Sequence, residues 1–403
     1  MTTILIVGLA FAATTYLRKR LSEAKCVVFG DNKLYGQSKW LGGAKSRDGI
    51  VYGVPGDHPR VLRVDPRTSS ITVIGPEFKG KNKWLRGVTS SLNGCIYMIP
   101  ACANRVLKLD PSTDEVTLIG PSFEAFSKWR WHGGSIAPEN GCIYAAPCNA
   151  SRVLKIDPRN DEVTLIGDSY EDRTKWYGCL VGSDGAIYAI PQNAHKVLRI
   201  DPQSDTTSLM AYEEKSVRAA PDFFNARHKW HGCVASRHKH YIYGIPNHSS
   251  RVLKIDVRKQ VVSLVGPELV GKDFGWNDGK YKYLGGVLGA NDAIYFMPGF
   301  AEKVLKVVPN TDEITVLEPS LGDRQNKWQN GFAARDGCVY GIPVQAQCVL
   351  RIDTRNDRVT TLSGAPMTRD AYEGGVIVNG ELFCIPMRAR CMMKVVPAGG
   401  GFW

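Results

Sequence analysis

"KWLGGAKSRDGIVYGVPGDHPRVLRVDP", residues 39–66, recurs along this 403-residue chain with its anchors kept and the residues between them changed. The easiest anchor to follow is a proline after a short apolar run, as in Ile96-Tyr97-Met98-Ile99-Pro100. Such prolines stand at Pro55, Pro100, Pro147, Pro191, Pro246, Pro298, Pro343 and Pro386, 43 to 55 residues apart, which marks eight units. Each unit holds four β-like runs separated by turn residues: a glycine-rich run after Lys-Trp, then "IVYGVP", "VLRV" and "ITVIG" in the first copy. Four strands in a repeat of this length predict one blade of a β-propeller.

The eighth unit stops after "CMMKVVPAGGGFW" and lacks the fourth run, while "KCVVFGDNKLYGQSKW" near the N-terminus aligns with "SITVIGPEFKGKNKW" of unit one. A strand at about residues 26–30 is therefore expected to complete the last blade, closing the ring and hiding an edge that would otherwise invite aggregation. The expected fold is an all-β, eight-bladed β-propeller over residues 25–403, preceded by one helix over residues 1–24. Composition agrees: 43% of residues are apolar, 22% are charged, and a closed repeat array of this length is one domain because each blade packs only on its neighbours.

The first residues read differently. "TTILIVGLAFAATTYL", residues 2–17, is uncharged and is followed by Arg18-Lys19-Arg20. Sixteen helical residues rise about 24 Å, slightly less than the roughly 30 Å hydrocarbon layer. The basic flank follows the apolar stretch, so the segment is read as a membrane anchor with the propeller on the cytosolic, matrix or stromal side. A cleaved signal, with "AFA" as its site, and a helix packed on the propeller are the alternatives. The mitochondrial inner membrane, with the propeller facing the matrix, is the expected location; the secretory pathway is the alternative. There, Asn149-Ala150-Ser151 and Asn247-His248-Ser249 would be glycan acceptors.

Seven of the eleven cysteines recur by register: Cys95, Cys142 and Cys338 before the second run, Cys179 and Cys233 in the first, Cys348 and Cys391 opening the third. This pattern reads as small buried side chains in a reducing compartment, with Cys384 and Cys391 as a conceivable hairpin pair.

Charge is also periodic. Lys39, Lys83, Lys128, Lys175, Lys229, Lys282 and Lys327 precede an aromatic residue at the start of the first run, although in unit three Arg130-Trp131 fits the glycine spacing better than Lys128-Trp129. Arg60, Arg105, Arg152, Lys196, Arg251 and Lys303 open the third run on the same expected face. With a formal net charge of +12, these residues predict a basic face that would attract an acidic protein or an anionic lipid surface. The competing reading is structural, since a residue kept in nearly every blade generally serves the blade. The basic residue inside the third run (Arg63, Lys108, Lys155, Arg199, Lys254, Lys306, Arg351, Lys394) occurs in all eight units and cannot mark one catalytic centre.

A single functional site should lie where the symmetry breaks. Unit five carries the insertion "AYEEKSVRAAPDFFNARHKW" and unit six is preceded by "GKDFGWNDGKYKY". Phe223, Phe224, Phe274 and Trp276 of these loops are candidate partner contacts. His195, His228, His231 and His248 are weak candidate metal ligands, weighed against ordinary solvated loop histidines. No Gly-x-Ser-x-Gly, phosphate-binding glycine loop or His-Glu-x-x-His occurs, and the Asp-rich "TDE" and "NDE" segments read as tight bends. No catalytic residue and no cofactor is expected.

Through "KW-x-GG…DG-IYGIP…RVLKIDP-x-TDEVTLIG", residues 25–403 resemble kelch-like β-propeller repeat proteins of microalgae and protists. The resemblance implies a propeller acting as a rigid docking platform and specifies no activity. The expected function is a noncatalytic, membrane-tethered accessory or scaffold subunit of a larger membrane assembly, for instance of the respiratory chain, with protein subunits as partners. An enzyme, a hydrolase or oxidoreductase working in the central channel, and a recognition module for an anionic ligand are the alternatives. Nucleic acid is disfavoured, because aromatic residues make up 9% and are not interleaved with basic ones outside the repeat.

Overall fold

The computed structural model describes residues 23–123, 128–218, 226–274 and 279–399. Among them, 32 strands form eight four-stranded antiparallel sheets. Blade 1 runs from the axis outward as β2 (Trp40–Lys45), β3 (Val51–Pro55), β4 (Val61–Asp65) and β5 (Ser70–Ile74), and blades 2 to 7 repeat that order. In blade 8, β30 (Tyr372–Val378), β31 (Glu381–Pro386) and β32 (Met392–Val396) are completed by β1 (Lys25–Phe29), which pairs with β32 from Lys25↔Val396 to Phe29↔Met392. The ring therefore closes as expected, one residue earlier than the sequence suggested.

Burial follows position within the blade. The second strand, such as Val51–Pro55 or Ile96–Pro100, is buried along its whole length, because its two faces pack on the two neighbouring blades. Its Val, Ile and Tyr residues suit that environment. The outermost strand alternates toward solvent, as in Ser70–Ile74. The core is thus a set of seams between blades rather than one central mass.

The periodic Tyr, basic residue and Asp form a clamp across those seams. Tyr97 and Lys108 of blade 2 both reach Asp161 in the outer turn of blade 3, at 2.6 and 2.5 Å. The pattern repeats with Tyr52, Arg63 and Asp114, with Tyr144, Lys155 and Asp205, with Tyr243, Lys254 and Asp312, and with Tyr295, Lys306 and Asp357. Each of these aspartates sits at a φ of 54° to 59°, the left-handed conformation that Asp tolerates in a tight turn. One residue therefore both makes the bend and ties two blades together.

The apolar segment 2–17 lies outside the described residues, as does nearly all of the expected 1–24 helix; Ala24 packs on the core between blades 7 and 8. Among the described residues, no helix is long and apolar enough to cross a membrane. All eleven cysteines are free, so Cys384 and Cys391 do not pair. Asn247 is buried, and the Asn149 amide is held by the Lys128 carbonyl and the Thr174 N–H, so neither sequon offers a free side chain.

Candidate functional site

The expected basic face does not form from the lysines proposed for it. Lys39, Lys83, Lys175, Lys229, Lys282 and Lys327 are all at most 3% exposed, and Arg130 takes the equivalent place in blade 3. Their charged ends donate to backbone carbonyls. Lys39 binds Met387 and Ala389 of blade 8 at 3.1 and 3.0 Å, and Lys175 binds Ala150 of blade 3 at 2.9 Å. Arg130 holds the carbonyls of Ala103 and Phe123. Lys39, Lys83, Arg130, Lys175 and Lys229 thus staple the loop entering their own blade to the neighbouring one, while Lys282 and Lys327 hold the carbonyls of Gly279 and Arg324 in their own entering loops. Burial lowers Lys39, Lys83, Lys229 and Lys327 to about 8 and Lys282 to about 7. Lys128 alone among the seven proposed lysines is exposed. It borders a recess of about 900 Å3 with Lys79, Lys81 and Arg105.

The tryptophans are structural in the same way. Trp40, Trp84, Trp131, Trp176, Trp230 and Trp328 are buried, and each indole N–H donates to the carbonyl of the residue just before the third strand, at 2.8 to 3.1 Å. Arg105 and Arg251 turn their side chains to the carbonyls of Gly120 and Gly266, and Lys303 pairs with Glu318. These three basic side chains are thereby drawn into the loops of their own blades, whereas Arg152 and Lys196 are exposed.

Immediately after the tryptophan, the innermost strand changes register. In blade 1 the pairing shifts between Trp40 and Gly43, and six other blades carry the same irregularity. Such a bulge leaves the two residues after the aromatic unpaired at the axis, where it can re-aim a side chain. The second of the two has positive φ in Gly42, Gly133, Gly178, Gly232 and Gly374, and in blades 2 and 7 that left-handed place is held by Arg86 (φ 62°) and Asn330 (φ 59°). Arg86 Nη2 donates to Asn330 Oδ1 at 3.5 Å, across the axis.

The first unpaired position breaks the symmetry further. It is Leu41, Leu85 and Leu284 in blades 1, 2 and 6, but His132, Tyr177 and His231 in blades 3, 4 and 5, and Gln329 and Glu373 in blades 7 and 8. The three rings stack along one wall of the mouth: His132 on Tyr177 at 4.5 Å between centroids, Tyr177 on His231 at 4.1 Å, and Trp129 on the outer face of His132 at 5.4 Å. On the opposite wall, Gln329 Nε2 donates to Glu373 Oε1 at 3.2 Å. Beneath lies an axial chamber of about 400 Å3, lined by Arg86, His231, Asn330 and Glu373, by Val88, Ile245 and Phe332, and by paired glycines of the innermost strands. A side pocket of about 70 Å3 opens between Arg86, His132, Tyr177, Cys179 and Cys233.

Burial sets the charge states here. It lowers His132 and His231 to about 3, with Arg86 adding to the effect, so both imidazoles are neutral. Burial raises Glu373 to about 7, opposed by Arg86 and reinforced by Asp370. The Tyr177 hydroxyl is pushed up by burial and stays protonated. His132 Nδ1 is buried without a partner. The mouth thus offers one fixed cation, one carboxyl that titrates near neutrality, two neutral imidazoles, two amides and a phenol.

The four proposed metal histidines are separated. His228 and His248 meet at 5.4 Å, with Gln192 Nε2 3.1 Å from His228 Nδ1; His231 belongs to the axial stack, and His195 is exposed in its loop. Among the described residues, no three His, Cys, Asp or Glu side chains gather as a metal site. Of the proposed partner loop, Phe274 packs against the core between blades 5 and 6 instead of facing solvent, while Phe223, Phe224 and Trp276 lie outside the described residues. Arg86, His132, Tyr177, Gln329, Asn330 and Glu373 were missed by the sequence reading. The signal was present: they interrupt the leucine-glycine pair that follows the aromatic anchor in blades 1 and 6.

No protein-family model and no curated protein matches the chain. Solved structures do. A catalytically inactive virginiamycin B lyase from Staphylococcus aureus, solved with quinupristin, superimposes with a TM-score of 0.55 at 13% identity, covering 93% of this chain and 99% of that one. The computationally designed Ika8 protein gives a TM-score of 0.62 at 9% identity over 90% and 97% of the two chains. Hydrazine synthase of Kuenenia stuttgartiensis gives 0.50 at 14% identity over 84% and 99%. At these identities the likeness is one of fold alone.

Proposed function

We propose that this chain is a noncatalytic recognition propeller that binds a small polar ligand at its axial mouth and serves as an accessory subunit of a larger membrane assembly. One observation carries the binding site: Arg86 and Asn330 hold left-handed backbone positions, glycine in five other blades, and bring a guanidinium to the axis. A non-glycine residue in that conformation costs of order 1 kcal/mol, and such strain concentrates at functional sites. The repeated lysines, tryptophans and Tyr-Lys-Asp clamps, by contrast, are engaged in holding blades together.

Within this reading, residues 2–17 supply the tether, and the basic flank Arg18-Lys19-Arg20 puts the propeller on the matrix side of the mitochondrial inner membrane. The repeat motif carries the proposed kinship with kelch-like propeller proteins. Two measurements test the proposal. A ligand screen by thermal shift should find compounds that raise the melting temperature of the wild type and not of Arg86→Gly; a compound-independent response to that substitution overturns the site. Native electrophoresis of detergent-solubilised membranes should show the chain in a large complex; migration as a free monomer overturns the accessory role.

A second reading, an enzyme working at the axis, is favoured by Glu373, whose carboxyl titrates at about 7 and so has the range of a general base. Turnover abolished in Glu373→Gln with ligand affinity retained would support it.

A further inference from the structure

We infer that the ligand of the axial chamber is a small zwitterion of the α-amino acid class, its carboxylate held by Arg86 and its ammonium by Glu373. The inference rests on the axial site proposed above and narrows its chemistry. Arg86 and Glu373 line one chamber from blades 2 and 8, and they form no ion pair with each other. The guanidinium has five N–H donors, and among the described residues its hydrogen bond is the 3.5 Å contact to Asn330. Glu373 accepts one amide N–H from Gln329, which leaves its second oxygen open. Opposite charges facing one cavity without neutralising each other complement a ligand that carries both.

Simpler ligands fit less well. A plain carboxylate or phosphate would satisfy Arg86 but hold Glu373 in its protonated form and leave its second oxygen unused, and a plain amine would meet Arg86 as a like charge. The neutral imidazole of His231, beside Arg86 in the chamber lining, adds no second cation that would favour an anion alone. Val88, Ile245 and Phe332 provide an apolar wall for a side chain. At about 400 Å3, the chamber is near the small end of ligand sites, about 300–1,000 Å3, and suits a single metabolite rather than a folded segment.

The groups acting on Glu373 are Arg86, Asp370, Tyr177 and the Gln329 amide. An ammonium arriving beside it favours the ionised carboxylate, so binding releases a proton below about pH 7 and affinity rises with pH toward that value. The test is a thermal-shift screen of the twenty standard α-amino acids on the full chain. Calorimetry of the strongest then compares it with its decarboxylated amine and its deaminated acid. The amino acid is expected to bind at least tenfold tighter than either analogue, to lose at least tenfold affinity in Arg86→Gln and in Glu373→Gln, and to release a proton at pH 6 in the wild type but not in Glu373→Gln. Melting curves of the unliganded variants check that they fold, and Glu373→Met replaces Glu373→Gln if it does not. Equal binding of the acid, with no effect of the Glu373 substitution, overturns the zwitterion and leaves an anion site at the same mouth. Absence of binding by all twenty overturns it outright, and if no other compound shifts the wild type in an Arg86-dependent way, the axial site falls with it.

Discussion

The residue before the aromatic anchor and the two residues after it lie within four consecutive positions, yet they have opposite fates. Lys39, Lys83, Lys175, Lys229, Lys282 and Lys327 look like a binding face in the sequence and are buried staples in the fold. The positions after the aromatic look like filler, with Leu-Gly in two copies, and in six blades they bring polar chemistry to the axis. The difference teaches that repetition reports what every seam between blades requires, and departure from repetition reports what the molecule does once. It also explains why a net charge of +12 does not translate into a ring of lysines on one face: cations that satisfy buried carbonyls are withdrawn from the surface.

The largest effect that would break this contrast is expected at the anchor itself. Trp230→Ala leaves a cavity between blades and removes one of the two donors to the Arg251 carbonyl, the other being the Ser249 hydroxyl, and should destabilise by about 3–5 kcal/mol in denaturant titration. Next comes the cation. Lys229→Met removes the donor to the Asn193 and Ala226 carbonyls and should cost about 1–3 kcal/mol, whereas Lys128→Met, at an exposed position, should stay within about 0.5 kcal/mol. Equal effects for these two substitutions would return the lysines to the surface role. Because burial lowers Lys229 from 10.5 to about 8, the unfolded chain binds the extra proton between those values, so the wild type should gain stability relative to Lys229→Met as pH rises across that interval.

At the axis the sign reverses. Glu373 rises from 4.5 to about 7 on burial, so the folded chain binds the extra proton in that range. Stability relative to Glu373→Gln should therefore fall as pH rises from 4.5 to 7, by about 2 kcal/mol after solvent screening, as read from melting temperatures across pH. The smallest effect is expected for Arg86→Gly. It relieves the left-handed backbone and should change unliganded stability by no more than about 1 kcal/mol in the stabilising direction, while removing the guanidinium from the axis. A substitution that costs several kcal/mol instead would make Arg86 another structural member of the ring.

Much of this was legible in the linear text. Pro55 and its seven counterparts counted the blades, "KCVVF" supplied the strand missing after Val396, and the glycine spacing chose Arg130-Trp131 over Lys128-Trp129 as the anchor of blade 3. The basic residues of the third strand were read as too regular to be catalytic, and five of the eight form the inter-blade clamps with Asp114, Asp161, Asp205, Asp312 and Asp357. The candidate site was not legible. His231 was singled out, but for a metal cluster with His195, His228 and His248, and loops that share a face need not share a point. Phe274 was read as a contact for a partner and packs on its own core, because an aromatic loop side chain beside an open seam fills it.

Local periodicity was enough to set strand number, blade number and the seam that closes the ring, since each is fixed by hydrophobic alternation and by which run is missing at which end. Charge state and exposure were not, because both depend on what surrounds a side chain after the ring has closed. Whether a lysine is a staple or a surface cation, and whether Arg86, Asn330 and Glu373 share one chamber although up to 287 positions separate them, was decided only when eight sheets converged on a common axis.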